Sequence, residues 1–338
     1  MCKPAIKPEP DVAATDRLAD SDAMTAPLNP AESEPPALEP VEPARLAVAD
    51  PAPFQIEGQG QAAPATPLVF ASPHSGRLYP QEMMAASILD ASAIRRSEDA
   101  LVDALVAPAA GHGAVVITAA YARAYIDVNR EPYDLDPSMF EDELPPFARG
   151  RSARVAAGLG SIARIVAEGQ EIYGRKLTFA DAKRRIETVH APYHAALESL
   201  IAEAIARFGA AVLIDWHSMP SAAARTLGQS GDFGGAGVCD LVLGDRFGSA
   251  CAPQITTLVE RELEAMGYRV ARNAPYAGGY TTEFYGRPHD HVHALQVEIN
   301  RALYLNEATL EPHRGFVRLK RDLVRVFAAL AAMPLKGL

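Results

Sequence analysis

Apolar positions fall along this chain in two rhythms. Short runs with β-branched content, Leu68-Val69-Phe70-Ala71, Ala114-Val115-Val116-Ile117-Thr118, Ala211-Val212-Leu213-Ile214 and Leu241-Val242-Leu243, have the length of buried strands. Leu295, Val297 and Ile299 alternate with Gln296, Glu298 and Asn300, the period of a strand whose two faces differ. Tyr268-Arg269-Val270 and Tyr125 to Arg130 are read as further strands.

The other rhythm is helical. It covers Ser87 to Ala107, punctuated by Pro108 and Gly111, and 153–208, with a break near Pro192 and a stop at Gly209. A helix from Pro253 to Met266 has proline near its start and Gly267 just past its end. An amphipathic helix over 308–332 closes the chain. Residues 131–152 read as a long surface loop and Ala277 to Thr282 as a glycine-rich turn. Strands alternating with helices predict an α/β fold, with a mostly parallel or mixed central sheet flanked by helices.

Composition divides the chain in two. Residues 1–67 carry 11 Asp/Glu against 4 Lys/Arg and 13 of the 27 prolines, with no histidine. Such a segment lacks the apolar periodicity that offsets ordering entropy. Residues 1–66 are therefore expected to be a disordered acidic tail, and 67–338 the folded domain. The net charge of -10 disfavours a general nucleic-acid-binding role. No apolar run approaches the ~18 residues of a membrane span, and no basic region with an apolar stretch follows Met1. Cys2, Cys239 and Cys251 form no metal-type pair, so reduced thiols in a cytoplasmic protein are expected.

The polar residues that interrupt strand ends carry the chemistry. Asp215 and His217 follow the 211–214 run and point to one side. His74 follows the 68–71 run in Ser72-Pro73-His74-Ser75-Gly76. Ligands gather beyond the carboxyl ends of strands in α/β sheets. Two imidazoles and a carboxylate, with one position open to water, form the donor set of many hydrolytic metal sites. Glu98 and Asp99 are alternatives for the acid, or else belong to a polar helix face. Glu298, in a strand expected to be buried, is a candidate general base or else the partner of Arg301 or Arg130. Arg123 and Arg130 flank Asp127 and Asn129, and can clamp a carboxylate or hold their own loop. His190 with His194, and His289, His291 and His293, have metal-like spacings, but packing and exposure account for them better, with one of the 289–293 histidines still expected near the substrate.

Five motifs occur in order: Ser72 to Gly76, Tyr121 to Arg130, Asp215-Trp216-His217-Ser218-Met219, Gly278 to Thr282 with Tyr285-Gly286, and His293 to Glu298. Together, over roughly 68–331, they resemble the N-formylglutamate amidohydrolases. The resemblance implies a fold akin to the zinc carboxypeptidases and aspartoacylases. It implies a Zn2+ (or other divalent metal) enzyme that splits the N-formyl or N-acyl amide of an acidic amino acid. It makes His74, His217 and Asp99 the metal ligands, with Glu98 competing with Asp99, and Glu298 the general base. It makes Arg123, Arg130, Asn129, Gly279, Tyr280 and Thr281 the substrate contacts. The partner is then a small acidic N-acyl amino acid, not nucleic acid or membrane. Hydrolysis of another N-acyl amino acid or small peptide amide, or a non-catalytic sensor on the same fold, are the rival readings.

Overall fold

The apolar runs assemble into one sheet in the computed structural model, which describes residues 51–58, 66–148, 150, 152–226 and 238–334. Its strands are β1 (Phe54–Glu57), β2 (Leu68–Ser72), β3 (Val115–Ala119), β4 (Ala211–Met219), β5 (Leu241–Gly244), β6 (Val270–Arg272) and β7 (Val292–Asn300). They lie in the order β1-β3-β2-β4-β7-β5-β6. The centre, β3-β2-β4-β7, is parallel; β1 on β3 and β5 on β7 are antiparallel. The sheet is therefore mixed and, with helices on both faces, the fold is mixed α/β.

The helices are α1 (Gln81–Ala86), α2 (Val102–Val106), α3 (Ala153–Ala156), α4 (Phe179–Arg185), α5 (Ala191–Phe208), α6 (Ser221–Thr226), α7 (Pro253–Ala265), α8 (Tyr280–Tyr285) and α9 (Arg314–Ala331). Strand periodicity sorts the core into two layers. Val212, Ile214 and Trp216 of β4 join Leu295, Val297 and Ile299 of β7 under α7 and α9. Ala211 and Leu213 face the other way, toward α5 and the 121–140 region. Trp216 packs between Phe70 and Phe327, ring centroids 5.6 Å from each. Gly209 ends α5 in the left-handed region at φ 77, and Gly267 follows α7 at φ 88, both as the sequence predicts.

Several expectations are corrected. The described fold reaches ahead of residue 67, because β1 pairs with β3 as an edge strand. Phe54 and Ile56 are its only apolar residues, too few to stand out from the acidic segment. Residues 1–50, where the tail expectation chiefly falls, lie outside the described residues. The helix expected over Ser87 to Ala107 is a 3-10 turn at Ala93–Ser97 and then α2, split where Leu101 turns to φ 65. Residues 125–130 form turns rather than a strand, since the Asp127 carboxylate accepts its bond from the Asn129 amide two residues on. Pro192 does not break its helix: a π-helical turn at Ile186–His190 leads into α5 without interruption. Before α4, the 153–208 span holds only α3 and a 3-10 turn at Ala167–Gly169 as helical segments. The 131–152 loop is anchored by buried Leu135, Met139, Phe140 and Ala148.

Candidate active site

β4 and β7 run side by side with His217 opposite Glu298 and Asp215 opposite Gln296. These four polar residues take the face of Leu213 and Ala294, at the carboxyl end where that core stops. β2 lies on the other side of β4, with Ala71 opposite Asp215, so His74 emerges next to His217. The Asp99 amide donates to the His74 carbonyl at 3.0 Å, which brings the segment before α2 to the same point. The break in the expected helix is what delivers this carboxylate.

Three atoms converge. His217 Nδ1 is 3.0 Å from His74 Nδ1 and 3.1 Å from Asp99 Oδ2, and His74 Nδ1 is 3.4 Å from Asp99 Oδ2. All three side chains are buried. Each imidazole meets a second carboxylate at its far nitrogen: His74 Nε2 is 2.7 Å from Asp127 Oδ1, and His217 Nε2 is 2.9 Å from Asp215 Oδ2. A proton on each Nε2 satisfies those contacts and leaves both Nδ1 lone pairs aimed at each other and at Asp99. Three converging acceptors repel unless a cation sits among them. Tetrahedral donors at about 2.0–2.1 Å from an ion lie roughly 3.3 Å apart, close to the spacing here. The His74-Asp99-His217 group fits a metal ion, and no other such group occurs among the described residues.

The carboxylates around the group favour positive charge at this point. Burial works against the His217 cation, but Asp215, Asp99 and Glu298 together hold its pKa well above the ordinary value. Burial also works against the charged forms of Asp99 and Asp127, yet both carboxyls stay well below the usual range. For Asp99 the opposing groups are His217, His74 and Arg301; for Asp127 they are His74, Arg123 and Arg130. Glu298 behaves differently: burial pushes it up to about 7, Asp99 adds to the rise, and His217, Arg123 and Arg301 oppose it. Its Oε1 accepts from Gln296 Nε2 at 2.7 Å, and Gln296 Oε1 accepts from the Gly279 amide at 2.6 Å.

The alternatives separate. Glu98 faces away from the centre, held by Tyr79 Oη at 2.7 Å and Arg95 Nε at 2.9 Å, because consecutive residues of extended chain point oppositely. Arg301, considered beforehand only as a partner for Glu298, donates instead to Asp99 Oδ1 at 2.9 Å and Ser218 Oγ at 3.0 Å. Arg123 donates to Asp127 Oδ2 at 2.8 Å and stands 4.0 Å from Asp99. Arg130 donates to the carbonyls of Leu159 and Asn129. Asn129 donates from Nδ2 to Asp215 at 3.3 Å and accepts from the Thr281 amide at 2.8 Å, so its amide braces the site.

His74, Asp99, Arg123, Asn129, Arg130, His217, Gly279 and Glu298 line one cavity of about 670 Å³. Thr281 is buried behind Asn129, and Tyr280 lines a neighbouring cavity with Arg130, Arg154 and Phe284. Asp127, Asp215, Gln296 and Arg301 complete the site, although only Asp215 was singled out beforehand. The alternation of Gln296 with Glu298 was the one available signal for Gln296.

The other histidines are placed elsewhere. His190 Nε2 bonds the Arg130 carbonyl at 2.9 Å, and His194 bonds the Val128 carbonyl at 2.7 Å and Tyr285 Oη at 2.8 Å. His293 sits opposite Val212, five residues before the His217–Glu298 pair and so roughly 16 Å from it along the strand. None of the 289–293 histidines therefore lies beside the cavity, contrary to the expectation that one would. Cys239 and Cys251 are free, buried thiols that burial pushes up to about 11 and about 12. No helix among the described residues is long and apolar enough to cross a membrane.

The family model for N-formylglutamate amidohydrolase matches residues 66–305. N-formylglutamate deformylases of Pseudomonas putida and Pseudomonas aeruginosa are each 29% identical. The match covers 71% of this chain, with 82% of the first relative and 83% of the second. The crystal structure of N-formylglutamate amidohydrolase from Ralstonia eutropha JMP134 superposes with a TM-score of 0.75 at 39% identity, covering 83% of this chain and 97% of that one. A gene product of Agrobacterium tumefaciens shares the fold, with a TM-score of 0.58 at 16% identity over 82% of this chain and 93% of that one. The chain belongs to the N-formylglutamate amidohydrolase family and is a hydrolase of an amide C–N bond.

Proposed function

We propose that this protein is a metal-dependent deformylase that converts N-formyl-L-glutamate and water to formate and L-glutamate. The convergence of His74 Nδ1, His217 Nδ1 and Asp99 Oδ2 in one cavity with Glu298 carries this reading. The relatives named N-formylglutamate deformylase support the substrate. We take the ion to be zinc, for which two imidazoles and a carboxylate are a common donor set. The parallel strands ending at that donor set are why we place the fold with the zinc carboxypeptidases and aspartoacylases. The buried thiols Cys239 and Cys251 are in keeping with a reducing, cytoplasmic compartment.

His74, Asp99 and His217 would hold a divalent ion, which when bound would supply Lewis acidity toward the formyl carbonyl and a water molecule. Asp127 and Asp215 keep the two imidazoles in the tautomer that presents Nδ1. Glu298 accepts the proton of the attacking water as its oxygen bonds to the formyl carbon. A pKa of about 7 suits a group that must take up and release a proton near neutral pH. Glu298 then delivers that proton to the leaving nitrogen as the C–N bond breaks. Gln296 holds Glu298 by one oxygen and leaves the other for this exchange. Arg123 stabilises negative charge developing on the formyl oxygen. Arg130 and Asn129, with Gly279 and Thr281 against Asn129 and Tyr280 beside Arg130, shape the acid-binding side.

Release of formate from N-formyl-L-glutamate, measured beside release of acetate from N-acetyl-L-glutamate, tests the substrate. Preference for the formyl compound is expected. Faster release of acetate would reassign the acyl group, and release of neither would contradict the reading.

A further inference from the structure

Six arginines line the cavity: Arg96, Arg123, Arg130, Arg154, Arg246 and Arg301. Arg123 and Arg301 donate to Asp127 and Asp99, acids of the centre itself, and Arg130 is engaged with backbone carbonyls. Arg246 is held differently. It opens a turn directly after β5, and Arg246, Phe247 and Gly248 take φ values of 52, 58 and 82 in succession. Two consecutive side-chain-bearing residues in the left-handed region persist only where surrounding contacts enforce them, and such strain gathers at ligand clamps.

Those contacts are present. Asn273 Oδ1 accepts from the amides of Asp245 and Phe247, at 3.0 and 3.2 Å. Asp245 Oδ1 accepts from Asn273 Nδ2 at 2.8 Å and the Gly248 amide at 3.0 Å, while its Oδ2 accepts from Thr256 Oγ1 at 3.0 Å. The Arg246 amide donates to the Ala277 carbonyl at 2.8 Å. Its side chain runs along Gly278, where a Cβ would stand 3.1 Å from Arg246 Cγ. Nη1 donates to the Gly278 carbonyl at 3.3 Å, and Nη2 pairs at 3.1 Å with Glu283, a carboxylate 61% exposed. An exposed pair of this kind is weak and exchanges readily for a better-held carboxylate.

Distance argues for which carboxylate. β5 lies two strand spacings, roughly 10 Å, from β4, with Gly244 level with Gln296 and Asp215 rather than with His217, and the Arg246 side chain beyond it lines the same cavity as His217 and Glu298. The formyl carbon and side-chain carboxyl carbon of extended N-formylglutamate are about 6 Å apart, and a paired guanidinium carbon lies about 4 Å further on. We propose that Arg246, presented by the turn that Asp245, Asn273 and Thr256 support, binds the side-chain carboxylate and sets the preference for glutamate over neutral residues. This rests on the deformylase reading above and deepens it.

The test compares kcat/KM for N-formyl-L-glutamate with that for its neutral isostere N-formyl-L-glutamine, in the parent and in Arg246→Met. A lost charge-assisted pair is worth about 30- to 100-fold. The glutamate-to-glutamine ratio should fall by about that factor, chiefly through KM for glutamate. Arg246→Lys, which keeps the charge and the stem, should give an intermediate ratio; it decides the matter if the methionine variant does not fold. An unchanged ratio in a folded variant, or equal losses on both substrates, would overturn the assignment. A parent enzyme inactive on both compounds would instead overturn the deformylase reading.

Discussion

Two pairs of buried imidazoles lie in this molecule, and they do opposite things. The rings of His74 and His217 are 4.6 Å apart, and those of His190 and His194 are 4.4 Å apart. Proximity and burial are nearly the same. The partners differ: His74 and His217 meet Asp127, Asp215 and Asp99, whereas His190 and His194 meet two carbonyls and a phenol. These carboxylates hold the first pair's surroundings at negative charge, and Asp215 and Asp99, with Glu298, raise His217. Burial lowers both members of the second pair, His194 to about 3, so they remain neutral braces for the 128–130 turn. The anions around the histidines, not their spacing, mark the group that could hold a metal. That is why the i, i+4 spacing of His190 and His194 misleads, while His74 and His217, 143 positions apart, form the centre.

Removing one member of each pair breaks the comparison most sharply. His217→Ala should lose the metal and at least about a thousandfold in kcat/KM, since such an ion contributes several kcal/mol to the transition state. His194→Gln should keep the parent's metal content. Metal analysis on both proteins checks this, and a full equivalent of metal in the His217 variant would point to another centre.

Glu298→Gln separates holding the ion from moving the proton. It should retain metal and lose roughly a hundred- to ten-thousandfold in kcat. Its stability gives an independent readout in metal-free protein. Glu298 rises from 4.5 to about 7 on folding, so the folded state holds a proton that the unfolded state has released between those values. Stability is therefore lost as pH rises through that window, by about 3 kcal/mol in all. The glutamine variant escapes this loss. Urea melts should agree near pH 4 and favour the variant at pH 8; equal melts at both would mean Glu298 ionises normally.

The outer carboxylates should matter less than the ligands. Asp127→Asn weakens the hold on His74 and should cost about 10- to 100-fold in metal affinity, measured by competition with a chelator. The smallest effect belongs to the second pair. His194→Gln should cost about 1–3 kcal/mol of stability through the bonds to Val128 and Tyr285. Thermal melts read that loss, and an unchanged midpoint would deny the bracing role.

The parallel centre of the sheet was legible because β2, β4 and β7 carry apolar runs or strict alternation, and the same alternation identified His217 and Glu298. Glycine and proline marked the ends of α5 and α7. The rest depended on tertiary partners. The 99–101 break exists because the Asp99 amide reaches a carbonyl 25 residues away, and local helical periodicity masks it. Arg301 holds Asp99 across 202 positions, and Asp127 holds His74 across 53. Neither pairing leaves a local pattern. β1 was hidden because a short edge strand needs little apolar surface and sits beside an acidic, proline-rich segment.

The most direct test of the centre is formate release from N-formyl-L-glutamate by the purified protein, with metal measured on the same sample before chelation, after it and after zinc is returned. The structure predicts loss with removal of about one equivalent and recovery with zinc. Full activity in protein shown to be metal-free would contradict the His74-Asp99-His217 metal centre.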